Sequence, residues 1–157
     1  MTETEQKLIS FVVPCYNSAA YMDICIASLL KAGSDVEILV VDDGSQKDNT
    51  FGKAKNWESK FPNLIRAIHQ ENAGHGGVIN TGIKLAAGKY FKVIDSDDWI
   101  DPSATDSVMK FLREENDNEV DLLITNYVYE KPSENKRKTM GYRSVFPVGR
   151  VFVWDDL

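Results

Sequence analysis

Short, continuous apolar runs alternate along this chain with segments of helical pattern, and this alternation restricts the possible folds more than any other feature. The runs lie at residues 8–13, 36–41, 64–69, 90–94 and 121–129. Most of them are unbroken, which is typical of strands that are covered on both faces. The alternation predicts an α/β fold, with an open, mainly parallel, Rossmann-like sheet and helices on both of its faces.

Helical patterns occupy the segments between the runs. Two apolar stripes precede the stop signals Gly33 and Gly88. The first stripe holds Tyr21, Met22, Cys25, Ile26, Leu29 and Leu30, and the second holds Ile79, Ile83 and Ala86. Asp101 followed by Pro102 is typical of an N-cap and a first helical position. A further helix over 49–61 is predicted, although its apolar face is small.

The chain has 157 residues, of which 43% are hydrophobic and 27% are charged, and this composition is typical of a single globular domain. We expect a flexible terminus at 1–7 and an α/β domain at 8–129. A polar loop and the start of a further region are expected at 130–157. Because the sequence stops at Leu157 with no natural ending, we expect it to be the front part of a longer protein.

The net charge of −6 argues against nucleic acid as a partner, because proteins that bind nucleic acid usually present a basic face. The short run Lys136-Arg137-Lys138 is the exception. An acidic protein that handles phosphates needs positive charge from elsewhere, and a bound metal ion is the simplest source. Cys15 and Cys25 are not expected to form a disulfide and favour a reducing, cytoplasmic setting. Cys15 is interpreted as structural rather than as a nucleophile.

Polar residues follow four of the apolar runs at the point where each predicted strand ends. The four groups are Pro14-Cys15-Tyr16-Asn17, Asp42-Asp43-Gly44-Ser45, Gln70 to Gly77, and Asp95-Ser96-Asp97-Asp98. In open α/β sheets, ligands bind beyond the carboxyl ends of the strands. The sequence therefore predicts a ligand site built from these four strand ends.

The acids Asp95, Asp97 and Asp98 are candidates for a metal site. Carboxylates two residues apart at a strand end can approach one hard cation, and Mg²⁺ or Mn²⁺ prefers oxygen ligands that substrate phosphates complete. The alternative is a helix cap with solvated acids, and an isolated pair of this kind does not decide between the two. Three neighbouring acids favour the metal, because their mutual repulsion calls for a counter-ion.

At three other positions, the sequence allows both a functional and a structural interpretation. Asp43 accepts a hydrogen bond from a nucleobase or ribose, or it belongs to an Asp-Gly-Ser turn, and we expect both, with Asp42 pointing back into the structure. The segment Gly74-His75-Gly76-Gly77 precedes a predicted helix, so it is an anion site made of amides or a plain glycine-rich turn. Tyr16 stacks on a base or caps the edge of the core. His69 is expected to be structural.

This sequence lacks the motifs of several other classes of protein that bind nucleotides or phosphates. Residues 14–17 contain no glycine, which rules out a dinucleotide fingerprint and argues against the glycine- and lysine-rich loop of nucleotidyltransferases. No phosphate-binding loop of the G-x-x-x-x-G-K-[ST] type occurs. Receiver domains and haloacid-dehalogenase-like phosphatases need their acidic pair after the first strand, where this chain has none.

Taken in order, the motifs resemble the family 2 glycosyltransferases, which have the GT-A fold. The matching segments are Ile9 to Asn17, Glu37 to Ser45, Asn72-Ala73-Gly74, Asn80-Thr81-Gly82-Ile83, Ala87-Gly88-Lys89-Tyr90 and Ile94 to Asp98. Each segment is weak alone, but their order and spacing match as a set from Leu8 to Asp101. The resemblance implies transfer of a sugar from a nucleoside diphosphate donor, expected to be a UDP-sugar, to an acceptor hydroxyl with inversion.

The resemblance also implies roles for individual residues. The implied nucleotide-sugar-binding residues are Pro14, Tyr16, Asn17, Asp43, Gly74, His75, Asp95 and Ser96. By analogy, Pro14 and Tyr16 line the base pocket and Asp43 binds the base. Asp97, assisted by Asp98, is the implied holder of Mn²⁺ or Mg²⁺. The implied partner is a sugar or lipid-linked acceptor in polysaccharide or glycoconjugate synthesis, with the full protein in the cytoplasm at the inner face of the membrane.

Two departures from the family pattern matter. Many members have Arg or Lys where this chain has Ile79, so contact with the diphosphate is expected from His75 and the glycine amides instead. The family's general base is a carboxylate well downstream of the metal motif. Asp155 and Asp156 come too early for it, so the base is expected beyond Leu157. A non-catalytic nucleotide- or metal-binding module and a nucleotidyltransferase remain the alternatives.

Overall fold

The computed structural model describes residues 7–114, 120–131, 134–153 and 155. The chain divides into two compact units, Met1–Glu114 and Glu115–Leu157. Within the described ranges, none of the helices has the length and apolar character that a membrane crossing requires.

The first unit is built on a four-stranded parallel sheet. Its strands are β1 (Ile9–Cys15), β2 (Val36–Asp42), β3 (Ile65–His69) and β4 (Tyr90–Val93), in the order β3-β2-β1-β4. The register pairs Phe11 with Ile38 and with Lys92, and Val40 with Ala67. This sheet confirms the predicted α/β fold and four of the predicted strands.

Four helices accompany these strands. They are α1 (Met22–Leu29), which a 3₁₀ turn at Leu30–Ala32 extends, α2 (Thr50–Lys60), α3 (Gly74–Leu85) and α4 (Pro102–Glu114). Nearly every residue of β1 and β2 is buried. Because successive side chains of a strand point to opposite faces, this burial means that both faces of the central strands are covered. The helix predicted over 49–61 is confirmed as α2.

Helix α3 packs against β1 through a face that matches the predicted stripe only in part, since Ala86 does lie against the core. The buried residues of α3 are Val78 and Gly82, whereas Ile83, which the predicted stripe included, is 57% exposed. A Cβ atom added at Gly82 would lie 2.6 Å from a methyl carbon of Val12. The absence of a side chain at Gly82 therefore lets the helix approach the sheet. A prediction based on large apolar residues could not identify this contact.

Polar contacts tie the elements together at the amino ends of the strands. The Ser10 hydroxyl donates to Glu37 Oε1 at 2.6 Å and accepts from the Gly88 amide at 2.8 Å. In the last turn of α4, Arg113 donates to both carboxylate oxygens of Asp35, each at 2.8 Å. These contacts hold the chain at the edge of the sheet opposite to the strand ends where a ligand is expected.

The second unit contains an antiparallel hairpin, made of β5 (Tyr127–Lys131) and β6 (Lys136–Met140). The prediction of a strand over 121–129 is therefore wrong in its bounds and in its sheet, since residues 121–126 are not in a strand. The polar segment 130–138, predicted to be a loop, contributes to both hairpin strands. None of residues 121–129 is buried, so the apolar run did not mark a strand of the buried sheet.

Candidate functional site

The carboxyl ends of β1, β2 and β4 bring most of the predicted site residues to one edge of the parallel sheet. The loop after β1 contacts the loop after β2, because the Asn17 amide donates to Ser45 Oγ at 2.8 Å. It also contacts the loop after β4, because the hydroxyls of Ser18 and Ser96 lie 3.0 Å apart. The start of α3 joins the same group through Asp43.

Asp43 is 3% exposed and its carboxylate caps helix α3. Its Oδ1 accepts from the amide of Ala73 at 2.9 Å, and its Oδ2 accepts from the amide of Gly74 at 2.9 Å. A carboxylate at a helix N-terminus satisfies amides that lack a partner in the helix, and it interacts favourably with the helix dipole. The first-turn amides that Asp43 does not take are those of His75 and Gly76.

Two further side chains hold Asp43 in place, and the sequence reasoning did not identify either of them. Gln70 Nε2 donates to Asp43 Oδ1 at 2.7 Å, and Gln70 Oε1 accepts from the Thr81 hydroxyl at 2.6 Å. Asn72 Nδ2 donates to the Asp43 carbonyl at 3.0 Å. Gln70 and Asn72 belong to the polar group after β3, so their position at a strand end was the available signal.

The neighbouring Asp42 points into the structure, as expected. It is fully buried, and its carboxylate accepts from the hydroxyl and the amide of Ser45 and pairs with His69 Nδ1 at 2.7 Å. The His69 ring also lies against Phe51, with ring centroids 5.0 Å apart. The contacts of Asp42 with Ser45 and His69 therefore stabilise the loop that carries Asp43.

The loop after β1 is held by its own side chains. Asn17 has a φ of 52°, a left-handed conformation that asparagine tolerates better than most residues. Its Oδ1 accepts from the amides of Gln46 and Lys47 at 3.2 and 3.0 Å. Pro14 lies in β1 opposite Val41. Tyr16 is 50% exposed, so part of this residue is accessible to a ligand.

A chain of buried hydroxyl groups connects the three loops. Ser18 Oγ accepts from the Tyr16 amide at 3.0 Å, and the Ser18 amide donates to Thr50 Oγ1 at 2.7 Å. Thr50 in turn donates to Asp48 Oδ1 at 2.6 Å. Ser96, which is 7% exposed, is engaged with Ser18. These contacts fix the distance between the loop of Tyr16 and the acidic turn that follows β4.

The acidic turn itself is exposed. The Asp98 amide donates to the Asp95 carbonyl at 2.9 Å, so Asp95, Asp97 and Asp98 share one turn. Partial burial, and then the charges of Asp97 and Asp95, raise the pKa of the Asp98 carboxyl above its usual value. Carboxylate oxygens are ligands that a hard cation prefers, with phosphate oxygens completing its coordination. Within the described ranges, no group of three His, Cys, Asp or Glu side chains is arranged to hold a metal on its own.

The two cysteines are free and buried. Burial, with a smaller effect from Asp42, raises the pKa of the Cys15 thiol to about 12. Burial also raises the pKa of the Cys25 thiol to about 12. Because the thiolate is the reactive form, neither thiol is a nucleophile near neutral pH, which agrees with the structural interpretation of Cys15.

Comparisons with known proteins agree on one family. Residues 10–154 match the model described as Glycosyl transferase family 2. The chain is 41% identical over 137 residues to the putative glycosyltransferase EpsH of Bacillus subtilis, with 87% of this chain and 38% of the relative aligned. It is 36% identical to glycosyltransferase GlyG of Streptococcus pneumoniae, over 77% of this chain and 39% of the relative. The chain thus spans less than half the length of these relatives.

Solved structures agree with the fold. The structure of S. aureus TarS 1-349 is 30% identical, with a TM-score of 0.60 over 69% of this chain and 33% of that one. The same protein in complex with UDP-GlcNAc gives a TM-score of 0.59. A mannosyltransferase from Pyrobaculum calidifontis, solved with GDP-Man and Mn²⁺, is 23% identical with a TM-score of 0.58, and its likeness concerns the fold alone.

Proposed function

We propose, because this chain belongs to the family 2 glycosyltransferases, that its first compact unit binds the nucleoside diphosphate sugar from which the complete protein transfers a sugar to an acceptor hydroxyl. The observation that carries the proposal is the convergence of three different groups at one edge of the sheet. These groups are the buried carboxylate of Asp43, the half-exposed ring of Tyr16 and the acidic turn from Asp95 to Asp98.

Asp43 and Tyr16 form the base end of the proposed donor site. A carboxylate only accepts hydrogen bonds, so it favours a base with an imino N–H, such as uracil, over cytosine, whose ring nitrogen is an acceptor. Tyr16 stacks on the base, and Pro14 and Asn17 complete this end of the site. TarS, which is 30% identical, was solved with UDP-GlcNAc, and this supports a uridine nucleotide as the donor here.

At the other end of the proposed site, Asp97 with Asp98 holds Mn²⁺ or Mg²⁺, and Asp95 lies on the ribose side. When bound, the ion neutralises the diphosphate and stabilises it as a leaving group. The charges of Asp97 and Asp95 act on the Asp98 carboxyl, and a cation held at this turn would relieve that repulsion. Ser96 acts indirectly, since its hydroxyl is engaged with Ser18.

The phosphates are assigned to the start of α3. Asp43 takes the Ala73 and Gly74 amides, so the amides of His75 and Gly76 are the remaining first-turn donors, and the His75 side chain adds one more. Ile79 provides no charge at the position where many family members have one. The proposed site therefore relies on amides and the metal for its positive charge.

In the proposed reaction, the acceptor oxygen forms a bond to the anomeric carbon while the bond from that carbon to the diphosphate oxygen breaks. The acceptor proton passes to a carboxylate base, and the nucleoside diphosphate leaves from the opposite face, so the sugar is inverted. We place the base in the part of the protein beyond Leu157. The cytoplasmic face of a membrane, with a sugar or lipid-linked acceptor, is the proposed setting in polysaccharide or glycoconjugate synthesis.

Calorimetric titration tests the donor site. The chain is titrated with UDP, UDP-GlcNAc, GDP-mannose and CDP, each with and without Mn²⁺. We expect binding of UDP compounds that depends on Mn²⁺ and weakens about tenfold or more in Asp97→Asn, since a charged contact is lost. Asp106→Asn, an exposed acid on α4, is the matched control and should bind like the parent. Tight binding that needs neither Mn²⁺ nor Asp97 would refute the proposal.

A further inference from the structure

The second unit presents a basic and aromatic face on its hairpin. In an antiparallel pair, directly opposite residues project from the same face of the sheet. Three opposite pairs therefore define one face, which we call the hairpin face. It consists of Tyr127 and Met140, Tyr129 and Lys138, and Lys131 and Lys136.

The charge of this segment is opposite to that of the whole chain, whose net charge is −6. Residues 127–143 contain five basic side chains and two acidic ones. The basic ones are Lys131, Lys136, Arg137, Lys138 and Arg143, and the acidic ones are Glu130 and Glu134. The surplus of positive charge favours the binding of an anion at the hairpin.

The two acids do not neutralise all of these cations. Glu130 pairs with Arg137 at 2.9 Å, and Glu134 pairs with Lys136 at 2.7 Å and with Lys131 at 3.4 Å. Lys138 has no acidic partner within the described ranges. Lys131 and Lys136 also stand directly opposite each other, and Glu134 offsets part of the repulsion between these like charges.

A hollow of about 600 Å³ lies at the end of the hairpin where β5 ends and β6 begins. It is lined by Tyr129, Lys131, Asn135, Lys136, Arg137 and Lys138. Its volume lies in the range of sites for small ligands. Tyr129 is 59% exposed and is braced edge-on by Tyr127, with ring centroids 5.3 Å apart. The hollow thus combines several cations with one positioned aromatic ring.

We propose that the hairpin hollow binds a phosphate-bearing saccharide, with the phosphate on Lys138 and its neighbouring cations and the sugar ring against Tyr129. Lysine ammonium groups bind phosphate as point charges, and an aromatic ring offers an apolar face with a polar tip to a sugar. The inference rests on the proposed function, because a phosphate-bearing saccharide is one kind of acceptor that such a transfer would use. A flat membrane surface fits less well, because Tyr127 packs against Tyr129 and Tyr142 instead of standing free.

Heteronuclear NMR titration of the full chain tests this site, with glucose 6-phosphate as the probe and glucose and inorganic phosphate as comparisons. UDP and Mg²⁺ are kept saturating so that the donor site is already occupied, because paramagnetic Mn²⁺ would broaden the amide signals. We expect shifts of the Tyr129 and Lys138 amides with glucose 6-phosphate, and about tenfold weaker binding in Lys138→Gln, because one charge-assisted contact is lost. Tyr129→Leu should weaken the binding of glucose 6-phosphate but leave the binding of inorganic phosphate unchanged.

Arg150→Gln is the matched control, because it removes the same charge from the same unit outside the hairpin. It should bind the probe like the parent, and the spectra themselves report whether each variant is folded. Equal binding of inorganic phosphate and glucose 6-phosphate, with no effect of Tyr129→Leu, would overturn the saccharide assignment. Binding to phosphatidylglycerol vesicles without binding of the probe, or no binding at all, would also overturn it. A UDP titration of each variant before the probe is added shows whether the donor site fails independently.

Discussion

The Asp43 carboxylate receives three hydrogen bonds while it is almost fully buried. The donors come from the Gln70 side chain and from the amides of Ala73 and Gly74, so this one side chain joins the end of β2, the end of β3 and the start of α3. A buried carboxylate with several donors is favourable, but removing its acceptor capacity leaves those donors unsatisfied. The proposed binding of the base and the folding of this region therefore depend on the same atoms.

The variant Asp43→Asn tests this double role. Its amide group keeps the size of the side chain but turns one acceptor oxygen into a donor that faces other donors. We expect a loss of about 1–3 kcal/mol in the free energy of unfolding, and weaker UDP binding. Urea unfolding followed by circular dichroism measures the first quantity, and calorimetry measures the second.

Thr81→Val is the companion variant, because it removes the hydroxyl that holds Gln70 and leaves Asp43 unchanged. Its unfolding free energy should fall by about 1 kcal/mol, the usual net value of one hydrogen bond. If Asp43→Asn were as stable as the parent protein, the capping role of this carboxylate would be wrong.

At the level of single residues, the sequence predicted acids and aromatic groups better than the residues that hold them. Asp43, Tyr16 and the acidic turn stood out because they follow apolar runs at strand ends. Gln70 and Thr81 did not stand out, because a single glutamine or threonine has no local pattern. Their roles depend on contacts across 27 and 11 residues of sequence, which only the folded chain reveals.

Helix α3 shows at the scale of an element how a small residue determines packing. Gly82→Ala would place a Cβ atom 2.6 Å from a methyl carbon of Val12. We expect this overpacking to lower the free energy of unfolding by about 1–3 kcal/mol. Gly76→Ala, in the same helix, meets nothing within 4 Å. It should raise stability by up to about 1 kcal/mol, because alanine favours the helix. Urea midpoints that shift in the same direction for both variants would contradict this account.

The contact between Arg113 in α4 and Asp35 before β2 predicts a pH dependence of stability. The Arg113 guanidinium lowers the pKa of the Asp35 carboxyl below its ordinary value of 3.8. A depressed carboxyl pKa contributes stability that is complete above the ordinary value and is lost as the pH falls through the folded-state value. Both side chains are partly exposed, at 46% and 35%, so solvent screening limits the contribution to at most about 1 kcal/mol.

Asp35→Asn should therefore lower the urea midpoint at neutral pH and make little difference in strong acid. Glu114→Gln is the control, because its pair with Lys110 is longer, at 3.7 Å, and more exposed. That variant should change the unfolding free energy by no more than about 0.5 kcal/mol. A deficit of Asp35→Asn that persisted unchanged in acid would show that the ion pair is not its cause.

Elements were predictable where hydrophobic burial alone determines them. The runs that became β1 and β2 are buried on both faces, so their apolar residues are continuous and their positions follow from the sequence. The two hairpin strands could not be predicted from the sequence, because all of β5 is exposed and β6 is rich in lysine. Cross-strand pairing, which composition does not encode, defines these two strands.

Across the whole molecule, burial falls steeply from the central strands to the hairpin. Strand β1 is paired on both sides, by β2 and β4, and β2 lies between β1 and β3, whereas β5 and β6 pair only with each other. An isolated two-stranded hairpin is marginally stable. The two units therefore differ in the free energy needed to open their backbone hydrogen bonds, and this difference is measurable residue by residue.

Native-state hydrogen exchange should resolve this gradient. We expect the amides of Val12 and Leu39 to exchange at least about a hundredfold more slowly than those of Val128 and Thr139, after correction for intrinsic rates, because only the former lie in the core. Adding UDP and Mn²⁺ should slow exchange around Asp43 and leave the hairpin unchanged, since ligand binding stabilises the part that it contacts. Hairpin amides as protected as those of β1 would show that the two units open together, contrary to their difference in burial.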